Sequence, residues 1–276
     1  MTRRRKGPLG ILRIAVLVIG VLTVAMGQTR ADLFTPHVAT YGVTLQEIRT
    51  GEKVVRSGGQ ITLRLARLCE GWRMNTRLSF TAGLEGGRTL QLLSENGIEE
   101  SSDGRLLSFA SSNTLNDDPT VLTRGAAQLF PNGRGRAIFT SLARREVKLP
   151  SGVVFPVAGA QLLVKRLAAG NKRSTRRLFD GSTDLVSKVV ERVMENQILL
   201  GQPPSGDPGL LDARSWSVAG VWFHPKTSET LQKTTVQIHA NGVASRMIID
   251  LGLVVLNARL TDIRRLAPPN CDAKPR

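Results

Sequence analysis

The sequence predicts an all-β fold: a single antiparallel sheet that meanders and curls on itself, with one or two short helices. Three observations carry this reading. Apolar and polar residues alternate with period two in run after run, the pattern of strands with one wet face. Turn tripeptides containing glycine separate many of those runs. The chain has 276 residues, 41% of them hydrophobic, enough for a core of its own, and its 22% charged residues exclude a disordered polyelectrolyte.

In chain order, the first segment is a leader rather than part of the fold. Arg3, Arg4, Arg5 and Lys6 precede an apolar run from Ile14 to Met26, which is shorter than the roughly 20 residues a bilayer span needs. A basic start, a short apolar stretch and small residues beyond it make residues 1–31 a secretory signal peptide, cleaved after Gly27 or, preferred, after Ala31. The alternative is a retained membrane anchor. No cysteine near the cleavage position offers lipid attachment, and Arg3-Arg4 is a weak twin-arginine signal. Residues 32–276 are then expected to form one exported domain. Six of the 38 bases and none of the 22 acids lie in the leader, so the mature part carries 32 bases against 22 acids, formally +10. That balance favours anionic envelope surfaces as partners.

The strand series opens with Tyr41, Val43 and Leu45. Ile61, Leu63 and Leu65 then alternate with Thr62, Arg64 and Ala66. Trp72, Met74, Thr76, Leu78 and Phe80 alternate with Arg73, Asn75, Arg77 and Ser79, one face apolar and the other polar. Shorter β-rich runs follow at Thr89–Ser94, Leu106–Ala110, Val121–Leu129, Ala137–Leu142, Val218–Phe223, Thr234–His239, Ala244–Asp250 and Val254–Leu260. Ser57-Gly-Gly, Glu85-Gly-Gly, Ser102-Asp-Gly, Pro131-Asn-Gly and Ala240-Asn-Gly read as the turns between strands. One helix interrupts the series: Phe155-Pro156 opens it, Leu162, Leu163, Arg166 and Leu167 continue it at helical spacing, and Gly170 ends it. Val186, Val190, Val193 and Met194 fit a helical face, yet the valine-rich composition favours a strand, the reading adopted here. The run Gln-Pro-Pro-Ser-Gly-Asp-Pro-Gly at 202–209 is a surface loop within the same domain.

Cys69 and Cys271 are the only cysteines. Two are too few for a disulfide-dense miniprotein, a four-cysteine zinc site or a cysteine-ligated iron–sulfur cluster. In an oxidising compartment an even, widely separated pair reads as a disulfide, with two free buried thiols as the alternative.

Catalytic constellations are scarce. There is no G-x-S-x-G elbow, and Ser57, Ser151, Ser182 and Ser205 sit beside glycine in turn-like contexts. Gly133-Arg-Gly-Arg lacks the third glycine of a dinucleotide fingerprint, and no phosphate-binding G-x-x-x-x-G-K-[ST] occurs. His37, His224 and His239 show no metal-ligand spacing and read as structural residues; no metal and no cofactor are expected. Asp250 and Asp262 are a carboxylate pair only if the fold brings them together. Lys172, Arg173, Arg176 and Arg177, with Arg144–Arg145, are candidate anion contacts, against the plainer reading of solvated strand edges. With one tyrosine, eight phenylalanines and three tryptophans, stacking platforms are few and nucleic acid is not an expected partner.

Several local patterns, taken in order, resemble the EipB family of periplasmic cell-envelope-integrity proteins. They are Pro36-His37 followed by Tyr41, then Cys69-Glu70-Gly71-Trp72, Phe155-Pro156, Phe179-Asp180-Gly181-Ser182, Trp216 with the Val218–Phe223 run, Asn241-Gly242, and the terminal Cys271. The resemblance spans nearly the whole mature chain. It implies a single sheet wound as a β-spiral or broken barrel, closed by a disulfide between Cys69 and Cys271, with structural roles for the motif residues. It also implies a role in envelope homeostasis without an established enzymatic activity.

The expected function is therefore that of a periplasmic, monomeric, non-enzymatic protein that supports envelope integrity by binding another envelope protein or lipid. The alternatives are a carrier or chaperone for a lipid or other apolar ligand, which an open apolar groove inside the sheet would signal, and a hydrolase with a dispersed site.

Overall fold

A computed structural model describes residues 33–271 apart from 50, 52, 117, 119, 142 and 199; the signal-peptide reading of residues 1–31 lies outside the described residues. The strands are β1 (His37–Ile48), β2 (Val54–Leu68), β3 (Gly71–Leu84), β4 (Thr89–Ser101), β5 (Leu106–Leu115), β6 (Val121–Leu129), β7 (Gly135–Phe139), β8 (Arg145–Leu149) and β9 (Val153–Val154). After the helix α1 (Pro156–Ala168) come β10 (Arg173–Leu178), β11 (Ser187–Val193), β12 (Ser205–Gly206), β13 (Ser215–Phe223), β14 (Thr230–His239), β15 (Ala244–Asp250) and β16 (Val254–Arg265).

All belong to one sheet, in the order β8-β7-β6-β5-β4-β3-β2-β1-β16-β15-β14-β13-β11-β10-β9, with β12 beside β16. The pairings are antiparallel except β9 with β10 and β12 with β16. The first and last strands meet in the middle: β1 pairs with β2 on one side and with β16 on the other. The two outermost strands, β8 and β9, are consecutive in the chain and joined by only Pro150, Ser151 and Gly152. A three-residue link cannot separate two sheet edges, so the sheet is wound nearly closed with its seam there. This is the curled all-β architecture that alternation and turn spacing predict.

Alternation sorts each strand into an inner and an outer row. His37, Ala39, Tyr41 and Val43 of β1 point inward, as do Trp72 and Phe80 of β3 and Leu107 and Phe109 of β5. The inward residues form two apolar clusters. One gathers Ala39, Tyr41, Ile61, Phe80, Leu256 and Leu260. The other gathers Trp72, Phe109, Phe139, Phe179 and Trp216 around α1, whose Val157, Leu163, Val164 and Leu167 pack into it. The helix thus lies on the inner side of the sheet. Pro156 occupies its first turn, where the missing amide is harmless, and Gly170 at φ +86° follows its end, a conformation side chains resist.

The disulfide joins Cys69, in the β2–β3 turn, to Cys271 in the tail after β16, with Cα atoms 5.5 Å apart at a sequence separation of 202. Three sequence expectations need correction. Ser57-Gly-Gly is not a turn but part of β2, laddered to Ala82, Thr81 and Phe80 of β3, and a Cβ at Gly59 would strike the Ser79 carbonyl and the Phe80 Cα. The run expected at Ala137–Leu142 ends at Phe139. The basic run after Gly170, read as turns and edges, contains the interior strand β10. The ambiguous valine-rich segment is the strand β11, and four of the five turn tripeptides do join consecutive strands.

Candidate functional site

The outer face of β2–β6 carries a slot that the strand register builds residue by residue. Arg64 pairs with Asn75, Asn75 with Gly97, Gly97 with Ala110, and Ala110 with Arg124. These five form one row across five strands. Its middle is small, Gly97 and Ala110, and its ends are arginines whose Cα atoms stand about 19 Å apart, four strand spacings. The neighbouring rows are raised. On one side Arg77 pairs with Glu95 at 3.1 Å, and on the other Arg73 pairs with Glu99 at 2.7 Å. Two cross-strand ion pairs therefore wall a low row of small residues. The concavity over this row and the Arg77–Glu95 row measures about 860 Å³ and also takes in Thr62, Ser112, Leu122, Thr140 and Ser141, while Arg73 and Glu99 border an adjoining one of about 430 Å³.

The charges are not balanced. Glu95 and Glu99 are each neutralised by their own arginine, whereas the Arg64 and Arg124 side chains make no ion pair among the described residues. Gly97 keeps the floor open: a Cβ there would sit 3.0 Å from Oδ1 of Asn75. The slot's polar equipment is thus two guanidinium groups without an ion-pair partner among the described residues, an amide and several hydroxyls, on the interior strands β2–β6 and the segment after β7. It can hold an oxyanion by charge-assisted hydrogen bonds and hydroxylated groups by neutral ones.

The candidate anion contacts named from sequence do not converge. Lys172, Arg173 and Arg177 are exposed, and Arg177 donates to the Ser151 carbonyl at 3.0 Å. Arg176 turns inward, its side chain 9% exposed, and pairs with Glu191 at 2.7 Å while donating to the Gly159 carbonyl of α1 at 2.8 Å. Asp250 and Asp262 stay apart. Asp250 binds Arg49 at one end of β15, while Asp262 accepts from the Ser205 hydroxyl near the far end of β16.

The motif residues sit in the frame. His37 is buried, its Nδ1 donating to the Thr35 carbonyl at 2.7 Å, and burial holds the imidazole below its usual value. The buried Tyr41 hydroxyl donates to the Ala244 carbonyl at 2.8 Å, and desolvation pushes it well above the usual phenol range. The Glu70 carbonyl receives the Ser102 amide at 2.8 Å, which closes the turn onto β4; Gly71 lies against the Glu100 backbone, and Trp72 lies beneath the Arg67 guanidinium. Phe155 and Pro156 start α1. Asp180 accepts from the Ser182 amide and hydroxyl at 3.0 and 2.8 Å, and Gly181, at φ +76°, lies against the Phe109 ring.

Sequence reading missed the slot. Arg64, Arg73, Asn75 and Arg77 were legible as outward residues, but the partners Glu95, Gly97, Glu99, Ala110 and Arg124 depend on register across three turns. It also missed Glu100 and Glu191, both buried. Glu191 had a signal, an acid on the inward stripe Val189-Val193 of β11.

A wound, nearly closed sheet plugged from within by one helix and grooved on its outer face defines a barrel-like β protein with an external polar concavity. The comparisons agree on the fold and add the family. A family model described as EipB-like matches residues 28–267, so the chain belongs to the EipB-like family. A crystal structure of a β-barrel-like protein of a domain of unknown function from Brucella abortus is similar, with a TM-score of 0.75 at 19% identity over 85% of this chain and 99% of that one. No curated protein matches the chain.

Proposed function

We propose that this EipB-like protein is an exported, non-enzymatic binding protein of the periplasm that supports envelope integrity by holding another envelope component. The observation that carries the reading is the outer slot: a large concavity whose Arg64 and Arg124 have no ion-pair partner among the described residues, built mostly on interior strands and outside the packed interior. The buried titratable groups Glu100, Glu191 and His239 are taken up in the frame, bound to the α1 amides, Arg176 and the Ala213 carbonyl respectively. The inward face is filled by two apolar clusters and α1, which favours a polar partner outside over an apolar cargo within. Export to an oxidising space is supported by the leader pattern of residues 1–31 and by the Cys69–Cys271 bridge.

The test is genetic. Deleting the gene in its own host is expected to raise sensitivity to detergent and to cell-wall antibiotics, and the full-length chain is expected to restore resistance. Unchanged sensitivity of the deletion strain overturns the proposal.

A further inference from the structure

We propose that the slot between the Arg73–Glu99 and Arg77–Glu95 ion pairs binds a segment of an acidic glycan, with Arg64 and Arg124 gripping carboxylate or phosphate groups along it. The inference rests on the envelope-binding reading above and names the ligand chemistry. Its shape argues for an extended chain: two outward rows, Arg64 to Arg124 and Thr62 to Leu122, run side by side across the strands from β2 to β6 and line one long concavity. Its charge argues for an anion, since the wall acids are already paired and the two end arginines are not.

The hydrogen-bonding groups favour a glycan over an acidic peptide. A peptide on a sheet normally adds to an edge, where free backbone amides and carbonyls receive its main chain. The slot lies on central strands, each laddered on both sides, so their backbone groups are committed. A peptide laid there would lose water from its own amides with little in return. Sugar hydroxyls need only side-chain partners, and Asn75, Thr62, Ser112 and Thr140 supply them. With no aromatic residue lining the concavity, stacking is absent and affinity rests on the arginines, so binding weakens steeply with salt.

The test uses the full mature chain, oligogalacturonate as the acidic glycan, neutral dextran, and poly-glutamate as the acidic peptide, with titration calorimetry at low and high salt. Arg64 and Arg124 point outward and lack side-chain partners, so Arg64→Gln/Arg124→Gln is expected to fold normally, which circular dichroism checks. Ala110→Leu raises the floor without changing charge. Lys188→Gln/Lys226→Gln removes the same charge from exposed positions elsewhere. Oligogalacturonate is expected to bind the unaltered chain and dextran is not. Affinity should fall about tenfold or more in the double arginine variant. It should also fall in Ala110→Leu and stay within about twofold in the lysine control, on the same scale. Absence of oligogalacturonate binding overturns the proposal. So does an equal loss in the lysine control, or poly-glutamate binding as tightly through the same residues. A negative result here leaves the deletion phenotype standing, so failure of the ligand assignment and failure of the envelope role are separately visible.

Discussion

The carboxylate of Glu100, on β4, accepts hydrogen bonds from the backbone amides of Val157 and Ala158 at 2.8 and 2.7 Å, holding the first turn of α1 against the wall of the sheet. The first amides of a helix have no partner within it, and this helix has no side-chain cap of its own and no acid in its first turn. Glu100 supplies the missing acceptor from 57 residues away in sequence. It is 3% exposed, and Gly104 makes room beside it, for a Cβ there would lie 2.9 Å from the Ala158 side chain.

Burial of Glu100 sets a pH dependence with a definite sign. Desolvation raises its pKa from 4.5 to about 7, partly opposed by the two amides. The folded chain therefore holds this proton more tightly than the unfolded one, and stability falls as pH rises from about 4.5 to about 7, then levels off. A gap of that size corresponds to about 3 kcal/mol. Urea unfolding of the wild-type chain and of Glu100→Gln at pH 5 and pH 8 isolates the effect. The wild type is expected to lose stability relative to the variant between the two conditions; parallel profiles count against a buried carboxylate at the helix start.

The histidines contribute the opposite slope. His239 presents Nδ1 to the Ala213 carbonyl at 3.1 Å and Nε2 to the Ser245 hydroxyl at 3.0 Å. A carbonyl only accepts, so the ring carries its proton on Nδ1, and Nε2 accepts from serine. Burial lowers the pKa of both His239 and His37. The unfolded chain then binds the extra proton first, and stability is lost as pH falls below about 6.5. In Glu100→Gln this acid-side loss should be less opposed and steepen, and nitrogen chemical shifts should report a neutral, Nδ1-protonated His239 at pH 8.

What sequence conveyed depended on how local the signal was. Alternation through Trp72–Phe80 and the glycine turns at 86–87 and 242 lie within a few residues of what they specify, and they placed the strands. Ser57-Gly-Gly looks the same as those turns; only its partners across the ladder, Ala82, Thr81 and Phe80, make it a strand, and the Ser79 carbonyl and Phe80 backbone leave no room for a side chain at 59. Ser174, Arg176 and Leu178 alternate, but an arginine on an inward row reads as polar until Glu191 is known to face it. The slot is the extreme case, for its floor and walls belong to five strands and exist only through their mutual register.

The bridge between Cys69 and Cys271 ties the β2–β3 turn to the tail beyond the central strand β16. With a loop of 202 positions, the chain-entropy model gives a stabilisation of about 5 kcal/mol. Reduction, or Cys69→Ser with Cys271→Ser, is expected to lower the melting temperature markedly while far-ultraviolet circular dichroism still reports strand. An intact mass two hydrogens lighter before reduction than after confirms the bridge; an unchanged mass removes the basis of the stability claim.

Arg176 and Glu191 test whether the inward ion pair stabilises the fold or only tolerates its own burial. The two are 2.7 Å apart with side chains 9% and 5% exposed, and Arg176 also donates to the Gly159 carbonyl of α1. Burial pushes the Glu191 carboxyl upward, and the neighbouring guanidinium holds part of that rise back. Satisfaction is incomplete, for Nε of Arg176 and Oε2 of Glu191 have no partner. Removing one member leaves the other charge buried alone, so Glu191→Leu is expected to cost about 3–5 kcal/mol. Replacing both, Arg176→Met with Glu191→Leu, takes away the desolvation of two charges and adds apolar contact with Val189 and Leu163, so most of that loss should return. Equilibrium unfolding of the two single variants and the double variant closes the cycle. A double variant as unstable as the sum of the singles would mean that the pair is not coupled and that the Gly159 contact alone gives Arg176 its place.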